Sequence, residues 1–226
     1  MRLLQASSSS IGSKVLIALT GLGLAVFLIG HLAGNLLFLA GPAAFNEYSH
    51  KLISNPLIYI AELGLLAVFF LHVAKAVAGY LSNRAARPTT YAVRRWAKAK
   101  TAKSRKSLAS STMIVTGTIT ALFVVTHLAT FKFGTYYETP EGLRDLYRLQ
   151  LQVFSSPAYV GFYLLAMAVI FFHLWHGLSS AAQSLGIDQA QWTPRILVAG
   201  RVLALGIAGG FFIIPIYTFL LSRGAL

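Results

Sequence analysis

The sequence predicts an all-α membrane protein of five transmembrane helices, the first four forming a bundle from two tandem two-helix repeats. Three observations carry this. Hydrophobic residues make up 56% of the 226 and charged residues only 11%, whereas soluble domains are about 25% charged. Five apolar stretches are long enough to cross a bilayer core, which takes about 20 helical residues. Two successive pairs of these stretches also share residues in the same order and spacing.

The polar, Ser-rich opening MRLLQASSSSIGSK precedes an apolar run too long for a signal h-region and without an early small-residue cleavage site. That run is read as a retained span. Spans are expected at 14–40, 56–81, 111–131, 157–182 and 194–221, in one integral membrane domain covering 1–226. Pro56, Pro157 and Pro194 stand at span starts, where a missing N–H is harmless. Pro215 falls inside the fifth span and predicts a kink. The loop 82–110 contains RAARPTTYAVRRWAKAKTAKSRK, with nine basic residues and no acid. The positive-inside rule makes that loop cytoplasmic, the N-terminus inside and the C-terminus outside. A net charge of +13, from 19 Lys and Arg against 6 acids, is therefore read as a membrane face and not as a nucleic-acid surface. From Lys132 to Ser156 three bases balance three acids. EGLRDLYRLQLQVF within it has the apolar spacing of a short helix on the outer surface. Tyr48, Tyr136 and Trp192 fall near the interfaces, where aromatic belts form.

Span one contains TGLGLAVFLIGHLA, from Thr20 to Ala33, and span three contains TGTITALFVVTHLA, from Thr116 to Ala129. Both read T-G-x9-H-L-A with a Phe four residues before the His. Pro56 lies sixteen residues before His72, and Pro157 sixteen before His173, preceded by AVFFLH and VIFFH. Both units keep the same direction, so a pseudo-two-fold axis along the membrane normal relates them.

Counting from the cytoplasmic ends, His31 is 17 residues from Lys14 and His127 is 16 from Ser111, while His72 is 10 from Ser82 and His173 is 10 from Gln183. At 1.5 Å per residue the first pair lies roughly 25 Å deep and the second roughly 15 Å, two levels about 10 Å apart. Ionisable groups at such depth are costly and normally face the bundle interior with a partner. Two imidazoles facing across an axis at one depth form a site for a planar metal macrocycle, and imidazole suits iron. With no cysteine in the chain, thiolate-held clusters and thioether-attached haem are excluded. A haem with two axial histidines has no open position and carries electrons. The expectation is two haem b groups, on His31 with His127 and on His72 with His173. Gly30, Gly34 and Gly177 beside them would allow a ring close to the backbone.

Other polar groups have two readings each. His176 is an alternative ligand to His173. Lys75 occupies the matching repeat position after His72, which favours a propionate or quinone neighbour for both. His50 is either an interfacial polar residue or a quinone or propionate contact. Glu62 is either a proton relay or, by preference, a neutral hydrogen-bonded acid near the interface. Arg201 either pairs with inner haem propionates or snorkels.

At TGLGLAVFLIGHLAGN around His31 and FFHLWHGLSSAAQSLG around His173 the chain resembles the cytochrome b subunit of succinate:quinone oxidoreductases, of the single-anchor, two-haem kind. That group includes menaquinone-linked succinate dehydrogenases and fumarate reductases. The resemblance covers essentially the whole chain. It implies that His72 and His173 hold the haem nearer the iron–sulfur subunit, and His31 with His127 the distal one. It also implies a bacterial cytoplasmic membrane, flavoprotein and iron–sulfur subunits on the cytoplasmic face, and quinone, with menaquinone favoured, as electron partner. Succinate or fumarate would react at flavin, outside this chain. Where some members carry a proton-transferring glutamate two residues before the span-four ligand, this chain has Phe171, a departure that speaks against that route. The competing readings are a cytochrome b subunit of a hydrogenase or formate dehydrogenase, a His/Glu proton or cation transporter, and a haem-free anchor.

Overall fold

A computed structural model describes residues 10–86, 112–187, 189 and 191–226. Most of the basic loop expected at 82–110 lies outside the described residues. The described residues are almost entirely helical. Helix α1 is Ser10–Leu36, followed by a 3-10 turn, Leu37–Ala40. Gly41, at φ 99°, reverses the chain where a side chain would be strained. Helix α2, Pro42–Ile53, then leads to α3, Leu57–Ala85. Helix α4, Met113–His127, widens into a π turn, Leu128–Lys132. The short α5, Leu146–Phe154, precedes α6, Pro157–Ser184, and α7, Thr193–Ser222.

Five of these segments are long and apolar enough to cross a membrane, as the composition demands: Ile11–Ala40, Leu57–Ala85, Met113–Lys132, Pro157–Ser184 and Thr193–Ser222. Their outward faces carry Val26, Leu63, Leu122, Leu165 and Leu205, all strongly exposed. In water such a surface would drive aggregation; in lipid it is the solvent-matched face. Helix α7 continues unbroken through Pro215. The Thr218 hydroxyl donates to the Ile214 carbonyl at 2.7 Å and accepts from Gln150 Nε2 at 3.3 Å, fastening α5 to α7 by buried groups.

Helices α1, α3, α4 and α6 close a ring: α1 packs on α3 and α6, and α4 on α6 and, more thinly, α3. Helices α1 and α4 occupy opposite corners, as do α3 and α6. Helix α7 lies outside the ring, packing along α6 and against α1 and α5. Small residues make the α6–α7 approach close. A Cβ on Gly200 would lie 3.0 Å from Ser179 Oγ, and Ala204 and Ala208 are buried beside it. This is the packing expected where backbones must meet without a hydrophobic drive between helices. The apolar core runs through Phe123, Phe154, Tyr163, Met167, Ile170, Leu174 and Ile207, on the α6–α7 side of the ring. Helix α3 buries no residue.

Outside the ring, α2 and α5 lie against each other. Asp145 caps α5 by accepting from the Arg148 N–H at 2.9 Å, as an N-cap carboxylate does. The same oxygen accepts from Asn46 Nδ2 at 2.8 Å, and Asn46 Oδ1 accepts from the Tyr147 N–H at 3.0 Å. The short helix expected from EGLRDLYRLQLQVF is thus present and locked to α2. Lys51 and Glu47, one turn apart on α2, form an ion pair at 2.7 Å. The Lys51 hydrogen bond and charge hold the Glu47 carboxyl below its ordinary range.

Candidate functional site

Each expected histidine comes from a ring helix, and the rings meet across the bundle. The His31 and His127 centroids are 5.7 Å apart, edge to face. Those of His72 and His173 are 6.5 Å apart, with planes at 77°. Each pair joins opposite corners, α1 to α4 and α3 to α6. All four side chains are half-buried.

The two levels are built differently. Around His31 and His127 the surroundings are aromatic. Phe27 stacks on His31 at 5.3 Å and Phe123 lies 5.7 Å from His127, so the Phe of the repeat sits one turn beneath each His. Phe211 of α7 adds a third ring, 5.7 Å from His31. Tyr163 Oη lies 3.4 Å from His127 Nδ1. Asn35 donates to the His31 carbonyl at 2.8 Å. Immediately after His127 the helix becomes π, a deformation frequent at functional sites. Arg144 closes its end by donating to the Phe131 and Lys132 carbonyls at 3.0 and 3.2 Å.

Around His72 and His173 the surroundings are hydroxyls and bare α-carbons. Thr20 Oγ1 lies 3.1 Å from His72 Nδ1, and Thr116 Oγ1 lies 3.2 Å from His173 Nδ1. The next residue in each case is a glycine against the same ring. A Cβ on Gly21 would stand 3.1 Å from His72 Cε1, and one on Gly117 3.2 Å from His173 Cε1. The Thr-Gly that opens each repeat motif therefore serves the histidine of the following membrane span, α3 or α6, not the one eleven residues beyond the Thr on its own helix. Depth counting holds the clue. Thr20 lies six residues from Lys14, within about one helical turn of the level of His72.

Of the glycines beside the histidines, Gly30 has no protein atom within 4 Å of where a Cβ would stand, Gly34 is pressed by the Tyr48 ring, and Gly177 has only Met113 Cε near, at 3.9 Å. Gly21 and Gly117 are the residues whose missing side chains the imidazoles require. Glu62 accepts from Lys132 Nζ, a contact that ties α3 to the end of α4. His176 is half-buried on α6, one turn beyond His173, and Lys75 is partly buried on α3. The Arg201 guanidinium lies over the Trp175 ring at 5.1 Å, the geometry of a cation–π contact. His50 is exposed near the end of α2. Among the described residues no group of three or more His, Cys, Asp or Glu has metal-binding geometry.

Fold and site define a class: an all-α membrane protein whose four-helix ring carries two cross-corner histidine pairs at its centre. By sequence the chain is similar to the succinate dehydrogenase cytochrome b558 subunit of Bacillus subtilis, 28% identical over 181 residues that cover 76% of this chain and 77% of that protein. No protein-family model matches. The resemblance to cytochrome b subunits of succinate dehydrogenase thus extends over most of the chain.

Proposed function

We propose that this chain is the di-haem cytochrome b membrane anchor of a succinate:quinone oxidoreductase. It passes electrons between an iron–sulfur subunit and quinone. The observation that carries the reading is the pairing of four histidines into two facing sets. The fit can be tested on the rings themselves. Imidazoles bound on opposite sides of one metal, with metal–nitrogen bonds of about 2 Å, hold their ring centres about 6 Å apart. The observed 5.7 and 6.5 Å bracket that value. Each pair offers two donors, so it suits a metal that brings its own equatorial ligands.

His31 and His127 would hold one haem b, and His72 and His173 the other. Haem held by these imidazoles would supply one-electron transfer. The chain's own part is to exclude further ligands and to set ring orientation. It also keeps the two sites on one line through the membrane. His176, Lys75 and Arg201, all on the cytoplasmic side of His72 and His173, are assigned to the inner propionates or to quinone. The resemblance to the Bacillus subtilis subunit supports a membrane-anchor role in succinate dehydrogenase. In this reading the basic loop faces the cytoplasm, where flavoprotein and iron–sulfur subunits dock. Dicarboxylate chemistry belongs to the flavoprotein, and the N-terminus lies inside.

A reduced-minus-oxidised visible spectrum of the purified chain tests the proposal. Sharp low-spin b-type bands at two haems per chain are expected, with copurification of a succinate-oxidising flavoprotein. A chain without such bands would be a transporter or a bare anchor. Bands with a hydrogenase or formate dehydrogenase partner would move it to another family of cytochromes.

A further inference from the structure

We infer that Thr20 and Thr116 are positioning residues for the inner histidine pair, each fixing the imidazole tautomer that leaves Nε2 to bind metal. The inference rests on the haem reading above and deepens it.

A threonine hydroxyl has one proton and two lone pairs. The Thr20 proton is used within its own helix, on the Leu16 carbonyl at 2.6 Å. The Thr116 proton is shared between the Thr112 and Met113 carbonyls, both at 3.2 Å. On that assignment each hydroxyl faces the histidine as an acceptor, and the proton between them belongs to Nδ1. A neutral ring protonated at Nδ1 has its lone pair at Nε2. The adjoining Gly21 and Gly117 seat the Cε1 edge of the same ring against the backbone. One dipeptide thus sets both tautomer and tilt, and the duplication supplies it twice, to His72 and to His173. Back-bonding of this kind does not by itself imply such a role. Thr118 donates to the Ile114 carbonyl at 2.8 Å from an exposed position and serves as an internal control.

An Nδ1–H that donates makes the imidazole a stronger electron donor, which favours ferric iron and lowers the potential. Outer-shell partners of this type typically change metal affinity or activity by about 10- to 100-fold.

The test uses the complete complex carrying Thr20→Val, Thr116→Val, the two serine variants and Thr118→Val. Readouts are haem per chain, redox titration and the low-temperature electron paramagnetic resonance of the ferric haems. The inner haem is the one lost in His173→Ala. Expected for each valine variant is a raised potential and a shifted ferric signal at that haem alone, or its loss with affinity down about tenfold or more. Serine restores both, and Thr118→Val changes neither. If valine prevents assembly, Thr20→Ala and Thr116→Ala carry the same expectation without the branched bulk. Valine or alanine variants with wild-type stoichiometry, potential and signal overturn the threonine role and leave the haem reading standing. A change confined to the outer haem overturns it as well. A wild-type complex without b-type bands overturns the haem reading and this inference together.

Discussion

The rings of His31 and His127 meet edge to face at 5.7 Å, although the helices that carry them stand at opposite corners of the four-helix ring. Side chains alone cross the centre there. His72 and His173 do the same at the other level, 6.5 Å apart.

Single removal of a ligand should respect this pairing. His31→Ala and His127→Ala are expected to lose one and the same haem, and His72→Ala and His173→Ala the other. Haem stoichiometry with redox titration of each variant checks it. Loss of the same spectroscopic species from the His31 and His72 variants would show that the pairs are drawn wrongly.

Gly117→Ala places a methyl group 3.2 Å from His173 Cε1, and Gly21→Ala one 3.1 Å from His72 Cε1. Both are expected to tilt an inner imidazole and alter the spectrum or retention of the inner haem. Visible spectra of the two variants, compared with the wild type at equal protein, decide between this and a merely flexible role for the glycines.

Gly200→Val should loosen α7 from α6. Its Cβ would stand 3.0 Å from Ser179 Oγ and 3.4 Å from the Ser179 backbone nitrogen, and a backbone atom cannot move aside as a side-chain tip can. Overpacking of this kind costs about 1–3 kcal/mol. A Tm several degrees lower in detergent is expected, whereas an unchanged Tm would mean that the two helices are not held in this register.

Thr218→Val removes the hydroxyl that accepts from Gln150 Nε2. Gln150 is only 3% exposed, so its amide is left without that partner, a loss of about 1–3 kcal/mol. Faster proteolysis of the segment around α5 is expected, with both haems retained. Protection equal to the wild type would show that α5 is held by its Asn46–Asp145 contacts alone.

Much of the architecture was legible before any coordinates. A chain this poor in charge cannot hide its apolar surface in water, and five uninterrupted apolar stretches leave little choice but five helices. His31, His72, His127 and His173 were legible because depth along a helix is a simple count, at 1.5 Å per residue. The spacing that relates one repeat to the other survives in the sequence for the same reason. The partner of Glu62 was not legible, because Lys132 lies at the end of another span, and no count along one helix reveals a neighbour on a different one. What Gly21 and Gly117 meet was not legible, because position along one helix does not decide which side of it faces an imidazole carried by another.

The sequence by itself determined the helices, the duplication and the depth of each imidazole, because these follow from periodicity and length along one axis. Only the tertiary structure decided which faces turn inward and which helices are neighbours. It gave Thr20 and Gly21 to His72, Thr116 and Gly117 to His173, and Phe211 of α7 to His31. The physical reason is that rotation about a helix axis and choice of packing partner are set by side-chain fit between helices, by small residues such as Gly200 and Ala204, and are not encoded in any single apolar segment.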